Sequence, residues 1–239
     1  MTGSPRVTLS NRLLSVLPPQ SRRRFLADCE GVELEFGAVI CQPGDRIRHV
    51  YFPTQSFISL VTTLDDGARL EVGIVGNEGM LGTSLLLGVN ASPHLALVQG
   101  AGAALKMSAT AFMDALERHP PLRQQLNRYI HVLLSQLAQT AACTRYHLIE
   151  ARLARWLLLT RDRAHGDRFN LTQEFLAYML GVRRAGITSA ASELHERGLI
   201  SYVRGEITIL DGEGLQRASC RCYQQGNRTY EQTLGKHMR

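Results

Sequence analysis

The sequence predicts an α+β protein in three parts: an N-terminal jelly-roll or β-roll domain over residues 1–120, a long helix over 121–149, and a C-terminal winged helix-turn-helix over 150–239. Three observations predict it. Between Val32 and Met107, short β-prone runs alternate with turn signals, the texture of a closed antiparallel sheet. After Pro120-Pro121, apolar residues recur at helical spacing without a turn signal for almost thirty residues. From Leu171 to Ile209, two short amphipathic patterns flank a glycine, and a hairpin pattern follows.

Composition sets the outer bounds. A chain of 239 residues with 44% apolar residues can bury one or two sizeable cores. The net charge of +6 is uneven: residues 1–142 hold 12 Lys/Arg against 11 Asp/Glu, and residues 143–239 hold 15 against 10. The basic excess therefore lies in the last part, where a phosphate-facing surface would need it. No apolar run is long enough to span a bilayer, and Arg6 and Arg12 are not followed by a signal-peptide core, so no membrane partner is expected. Five scattered cysteines, an odd number, fit a reducing cytoplasm rather than a disulfide framework.

In chain order, residues 1–30 read as helical. Pro18-Pro19 and Gln20-Ser21 start a helix with Phe25, Leu26 and Cys29 on its apolar side, and Arg22-Arg23-Arg24 read as its solvated face. Strands are expected at Val32–Phe36, Ala38–Ile40, His49–Phe52, Phe57–Val61, Leu70–Val75, His94–Val98 and Ala103–Met107, with Asp66-Gly67 as a hairpin turn. Ser108 is placed to cap a helix. In the long helix Leu126, Ile130, Leu133 and Leu137 recur at spacings of four, three and four, a coiled-coil seam that predicts a homodimer; packing on its own barrel is the alternative. A further helix carries Leu153, Trp156, Leu157 and Thr160 on one side and Arg152, Arg155 and Arg161 on the other, with Trp156 a core anchor. A polar loop, Arg163 to Asp167, leads onward.

Thr172 can cap a short helix whose first turn holds Gln173 and Glu174. Leu176 and Leu180 share a face, small Ala177 admits a second helix, and Gly181 supplies the turn. The second helix turns Ile187, Ala190, Ala191 and Leu194 inward and Arg183, Arg184, Thr188 and Ser189 outward, and Gly198 ends it. Leu199-Ile200 and Ile207–Ile209 then flank Arg204-Gly205 as a wing. A basic, hydroxyl-bearing start to the second helix suits the major groove of double-stranded DNA. Arg184 and Ser189 are expected to read base edges, and Arg183, Thr172 and Thr188 to hold phosphates, with Gln173 and Arg204 beside them.

The order of parts resembles the Crp/Fnr family of bacterial transcription regulators over essentially the whole chain, most closely at Leu171–Ile200. The resemblance implies a sensing β-roll, a homodimer, a palindromic operator and RNA polymerase as a partner, with no catalysis. The segment Gly76–Val98 resembles the family's effector cassette only poorly. In cyclic-nucleotide-binding members a Gly-Glu pair and a later Arg hold ribose and cyclic phosphate. Here Gly82 matches the Gly, Thr83 stands in place of the Glu, Ser84 follows, and His94 stands nearest the Arg, one insertion allowed. A neutral His does not replace a bidentate guanidinium, so the expectation is a degenerate pocket and no control by cyclic AMP. Arg69 is the nearest substitute for the missing charge. On the second helix Arg184 matches the family's base-reading Arg, Ala185 and Ser189 depart from it, and Arg183 stands where a Ser cap would be usual, so the operator is expected to be an uncommon one.

Cofactor chemistry finds little support in the sequence. The family's N-terminal cysteine cluster is absent, and Cys29, Cys41 and Cys143 lie far apart, so neither a cofactor nor a metal is expected. Haem would need an axial ligand from His49, His94, His131 or His147, for which surface or core positions are the commoner explanation. Cys220 and Cys222 offer a redox pair or a metal site, and with it a redox- or metal-responsive regulator of the same fold, as the minority alternative, but two adjacent thiols make at most half a site; they lie in a tail, Ala218–Tyr223, of a kind seen in one branch of the family. A cupin-type metalloenzyme would need clustered ligands on the barrel, where residues 32–107 offer only His49 and His94, distant in sequence.

Overall fold

The computed structural model describes residues 11–15, 17–65, 67–164 and 166–235. The expectations for residues 1–10, Arg6 included, and for Asp66 lie outside the described residues. The chain forms two compact units, one running to Leu60 and including Ile74–Ile130, the other formed by Val61–Gly73 and His131 onward. This differs from a simple division at 120 and 150. The long helix starts in the first unit, and the tip of one β-hairpin belongs to the second.

The first unit opens with α1 (Arg12–Ser15) and α2 (Pro19–Ala27), where proline supplies the first turn because its missing N–H is not needed there. Phe25 of α2 is fully buried and packs edge-on against Phe52, with ring centroids 5.6 Å apart. Seven strands follow: β1 (Glu30–Leu34), β2 (Val39–Cys41), β3 (His49–Pro53), β4 (Phe57–Thr63), β5 (Arg69–Val75), β6 (Leu95–Gly100) and β7 (Gly102–Ser108). They form two antiparallel sheets, β1-β7-β3 and β2-β6-β4-β5. Register is held by pairs such as Glu30 opposite Lys106, which also form a 2.8 Å ion pair. Ile58, Val75, Leu81 and Ala96 make the core between the sheets. The expected strands are all present, displaced by at most two residues at most ends. Ser108 caps α3 (Ala109–Arg118) by accepting from the Ala111 N–H at 3.2 Å.

The long helix, α4, runs from Pro120 to Tyr146, three residues short of the expected end. Its first turns are buried along Leu122, Leu126, Tyr129 and Val132. Tyr129 closes on Gly79 so tightly that a Cβ there would lie 2.0 Å from its hydroxyl oxygen. Leu126 is 0% exposed within its own chain and so cannot belong to an open seam. The apolar surface that α4 leaves open begins at Ile130 and continues through Leu133, Leu134 and Leu137, with Leu134 61% exposed.

The second unit is built on α5 (Ile149–Ala164), which is buried almost all round. Leu153, Trp156, Leu157 and Thr160 are buried as expected. The basic side is not solvated: Arg152 is buried and donates to the Leu180 carbonyl, and Arg155 donates to Thr140 Oγ1 at 3.2 Å. Trp156 Nε1 donates to Glu71 Oε1 at 2.8 Å, so the indole anchors the core and satisfies a carboxylate beside it. Next come β8 (Arg168–Asn170), α6 (Gln173–Leu180), α7 (Arg184–Glu196), β9 (Ile200–Val203), β10 (Glu206–Ile209), α8 (Gly212–Ala218) and α9 (Cys222–Leu234). The wing is a three-stranded sheet, β8-β10-β9, rather than the expected hairpin, because Arg168–Asn170 pairs with the outer edge of β10. No helix among the described residues is long and apolar enough to cross a membrane.

Candidate nucleic-acid interface and effector cavity

The geometry of α6 and α7 follows from a few residues. Thr172 accepts from the Phe175 N–H at 3.1 Å and caps α6. Gly181 ends it in the left-handed region at φ 60, where any side chain would be strained and a Cβ would also press on Leu70 at 3.1 Å. The turn ends at once in α7. Ile187, Ala190, Ala191 and Leu194 seat α7 against the unit, leaving Arg183, Arg184, Thr188 and Ser189 exposed together. Arg183 is the N-cap of α7 and makes no side-chain cap, so an exposed cation stands at the positive end of the helix dipole, a setting that favours an anion. Thr188 Oγ1 donates to Gln173 Oε1 at 2.8 Å, linking the start of α6 to the exposed face of α7. Arg204 lies exposed at the wing tip, with φ 51. The two-helix arrangement brings Thr172, Gln173, Arg183, Arg184, Thr188 and Ser189 onto neighbouring turns.

The expected effector residues also converge. Gly82, Thr83, Ser84 and His94 line one cavity of about 400 Å³ in the first unit. Gly82 sits at φ 101 before the short 3₁₀ turn Thr83–Leu87, and a Cβ there would come within 2.9 Å of Val50, so glycine is required by both conformation and space. Ile40, Ile47, Tyr51, Leu60 and Leu81 make the apolar lining. Cys41 donates to Ser92 Oγ at 3.2 Å, and Ser92 donates to the His94 carbonyl at 2.8 Å, which ties the cassette's return to β2. Burial holds the His94 imidazole below its usual pKa, favouring the neutral ring. Arg69 is not at this cavity; its guanidinium lies over the Tyr178 ring, 5.9 Å from the centroid. The cations that do line it are Arg46 and Arg48, both exposed. They follow the Pro43-Gly44-Asp45 turn, and their sequence signal was two arginines bracketing a buried Ile47. His49, distant from His94 in sequence, lines the same cavity.

A third constellation was only half legible. Cys143, in the last turn of α4, and His147, just beyond it, are four apart on one face. Cys220 and Cys222 at the start of α9 meet them. Cys143 Sγ is 3.5 Å from Cys220 Sγ, Cys222 Sγ is 3.5 Å from His147 Nδ1, and the four ligand atoms lie within 4.8 Å of one another. The thiols of Cys220 and Cys222 are thus not an isolated half-site; Cys143 and His147 complete it. The hydrogen bond with Cys220 holds Cys143 below the usual thiol range, helped by His147 and Arg155, and the same bond pushes Cys220 up. The Tyr223 hydroxyl donates to Asp162 at 2.9 Å and pins α9 to α5; burial raises its pKa to about 12.

Comparison with known proteins agrees with this architecture. Residues 32–119 match the model of the cyclic nucleotide-binding domain, and residues 151–218 match that of the Crp-like helix-turn-helix domain. Among solved structures, FixK2 from Bradyrhizobium japonicum is similar at 15% identity with a TM-score of 0.68, over 80% of this chain and 98% of that one. The c-di-GMP-responsive global regulator CLP of Xanthomonas campestris gives 15% identity and a TM-score of 0.66, over 80% and 99%. A CRP/FNR-family transcriptional regulator from Thermus thermophilus gives 21% and 0.65, over 80% and 98%. Among curated proteins none matches by sequence. At these identities the solved structures speak for the fold; the two domain models, matched in the order found here and together spanning more than half the sequence, speak for descent. The chain belongs to the Crp/Fnr family of helix-turn-helix transcription regulators.

Proposed function

We propose that this regulator acts as a homodimer on a palindromic operator, in the cytoplasm and with RNA polymerase, and that neither cyclic AMP nor cyclic GMP controls it. The observation that carries DNA recognition is the exposed start of α7, where Arg184, Thr188 and Ser189 project from a helix anchored from behind by Ile187, Ala190, Ala191 and Leu194. In this reading Arg184 and Ser189 meet base edges. Arg183, Thr172 and Thr188 meet phosphates, and Arg204 on the wing contacts the backbone. Thr172 keeps its hydroxyl hydrogen for a phosphate while its oxygen caps α6. The dimer face is Ile130, Leu133, Leu134 and Leu137, with Leu134 taking the place expected for Leu126. A two-fold pair of α7 helices would then address half-sites about 34 Å apart.

The test is a binding titration on an operator selected by sequencing DNA that co-purifies with the protein. Arg184→Ala is expected to cost about 1–3 kcal/mol on that operator and to relax preference at one base pair. Arg183→Ala is expected to weaken all sequences alike and to flatten the salt dependence. Unchanged discrimination in Arg184→Ala would refute the division of roles.

The cavity of about 400 Å³ falls within the range of small-molecule sites, and its apolar lining suits a ligand less charged than a cyclic nucleotide. A phosphate buried without a paired cation bears a large desolvation cost. Arg46 and Arg48 are exposed and screened, and His94 is neutral at pH 7.5. Losing a charge-assisted contact removes a few kcal/mol, and each 1.4 kcal/mol is about tenfold, so micromolar binding falls to about millimolar. Calorimetry is expected to show no binding of cyclic AMP or cyclic GMP up to about 100 μM at pH 7.5. Because burial lowers the His94 pKa, protonation comes at a lower pH than for an exposed histidine, and a repeat at pH 6 is expected to gain little. Saturable low-micromolar binding, abolished in Arg46→Ala or Arg48→Ala, would overturn this part of the reading.

A further inference from the structure

We propose that Cys143, His147, Cys220 and Cys222 form a tetrahedral Cys₃His site for a zinc-class divalent ion, stapling α9 to the end of α4. The four residues come from two distant segments yet bring four soft or borderline ligand atoms within 4.8 Å of one another. Zinc bonds of about 2.3 Å to sulfur and 2.0–2.1 Å to nitrogen imply tetrahedral edges of about 3.8 Å for S···S and 3.5 Å for S···N. Cys143 Sγ to Cys220 Sγ is 3.5 Å and Cys222 Sγ to His147 Nδ1 is 3.5 Å. Each edge joins one residue from α4 or its end to one from the start of α9, so a single ion would bond across the junction twice. In an iron–sulfur cluster the ligands on different irons are held apart by the cluster's own iron and sulfide, and four ligand atoms all within 4.8 Å of one another fit a single ion instead.

The surroundings fit the ion as well. Gln139 Nε2 donates to Cys222 Sγ at 3.0 Å, the kind of outer hydrogen bond that orients a thiolate ligand. Ala151 packs against the cysteines and keeps one side apolar. Three thiolates, a neutral imidazole and a divalent cation carry a net single negative charge; each ligating thiol gives up its proton to solvent. Arg152 and Arg155 stand close enough to interact with Cys143 electrostatically and offset that charge. His147 lies in the break between α4 and α5, so the ion would fix the joint on which α5 is hung.

Elemental analysis of the full chain, purified under reducing conditions without chelators, is expected to find about one zinc per chain. Cys29→Ser should keep it, and Cys143→Ser or Cys222→Ser should lose it. A readout needing no variant is cobalt added to chelator-stripped wild type, which should develop thiolate charge-transfer and tetrahedral d–d absorption at one equivalent. Gln139→Leu should keep the stoichiometry and weaken zinc affinity about 10–100-fold. Several results would each overturn the proposal: metal-free wild type with no cobalt spectrum, a Cys143–Cys220 disulfide under reducing conditions, cluster absorption, or zinc retained in Cys143→Ser.

Discussion

Leu134→Glu is expected to break the dimer and lower operator affinity by about 10²–10⁴-fold, the advantage that two linked half-site contacts hold over one. Leu134 is the most exposed large apolar residue in the middle of α4, at 61%, and lies between half-exposed Ile130, Leu133 and Leu137. A two-fold axis along that face would set each glutamate against its copy, and a charge taken out of water without a partner costs several kcal/mol. Sedimentation should give a monomer at micromolar concentration. Anisotropy titrations should show full-operator binding falling toward that of a single half-site. Leu126→Ala should behave oppositely, keeping the dimer while costing about 2–5 kcal/mol of stability, because Leu126 is fully buried in its own chain. A Leu134→Glu protein that remains dimeric and binds normally would remove this face from the interface.

Trp156→Ala is expected to cost about 3–5 kcal/mol of folding stability. The ring is 5% exposed at the centre of α5, and its N–H satisfies Glu71 at 2.8 Å, so truncation opens a cavity and strips a donor from a buried carboxylate. At about 2–4 °C per kcal/mol for a chain of this size, the melting midpoint followed by circular dichroism should fall by roughly 6–20 °C. A loss below about 1 kcal/mol would mean the unit is anchored elsewhere.

The sequence was most legible where a local pattern is also the cause of the structure. Thr172, Gly181 and the inward set Ile187, Ala190, Ala191 and Leu194 specify α6 and α7 by capping, chirality and periodicity, all local effects. The cassette residues were found through the family resemblance alone, and the structure supplies the physical reason for Gly82, where a Cβ would meet Val50. Four readings depended on contacts distant in sequence and were not legible. Leu126 fits a seam by spacing, yet the β-roll claims it. Arg69 was a cation in search of a site, and its partner proved to be Tyr178 rather than the cavity. β8 is three residues long and exists because β10 offers an edge. Cys143 and His147 carried a signal, the i, i+4 spacing, that gains meaning only when α9 delivers two more thiols.

The wing tip has a consequence of its own. Arg204 is the sole non-glycine residue with positive φ among those described, at the first position of a two-residue turn that Asn or Gly would occupy with less strain. Left-handed backbone costs an ordinary residue roughly 1–2 kcal/mol. The domain therefore forgoes stability to mount a cation at the tip of a two-residue turn. A charge on a long loop must have its backbone immobilised each time it meets a phosphate, whereas the pairing of β9 with β10 fixes the backbone on both sides of Arg204 when the chain folds. In the proposed contact with DNA, the strained turn would work as pre-organisation: part of the free energy of gripping the duplex backbone would be set aside when the chain folds, before any DNA arrives.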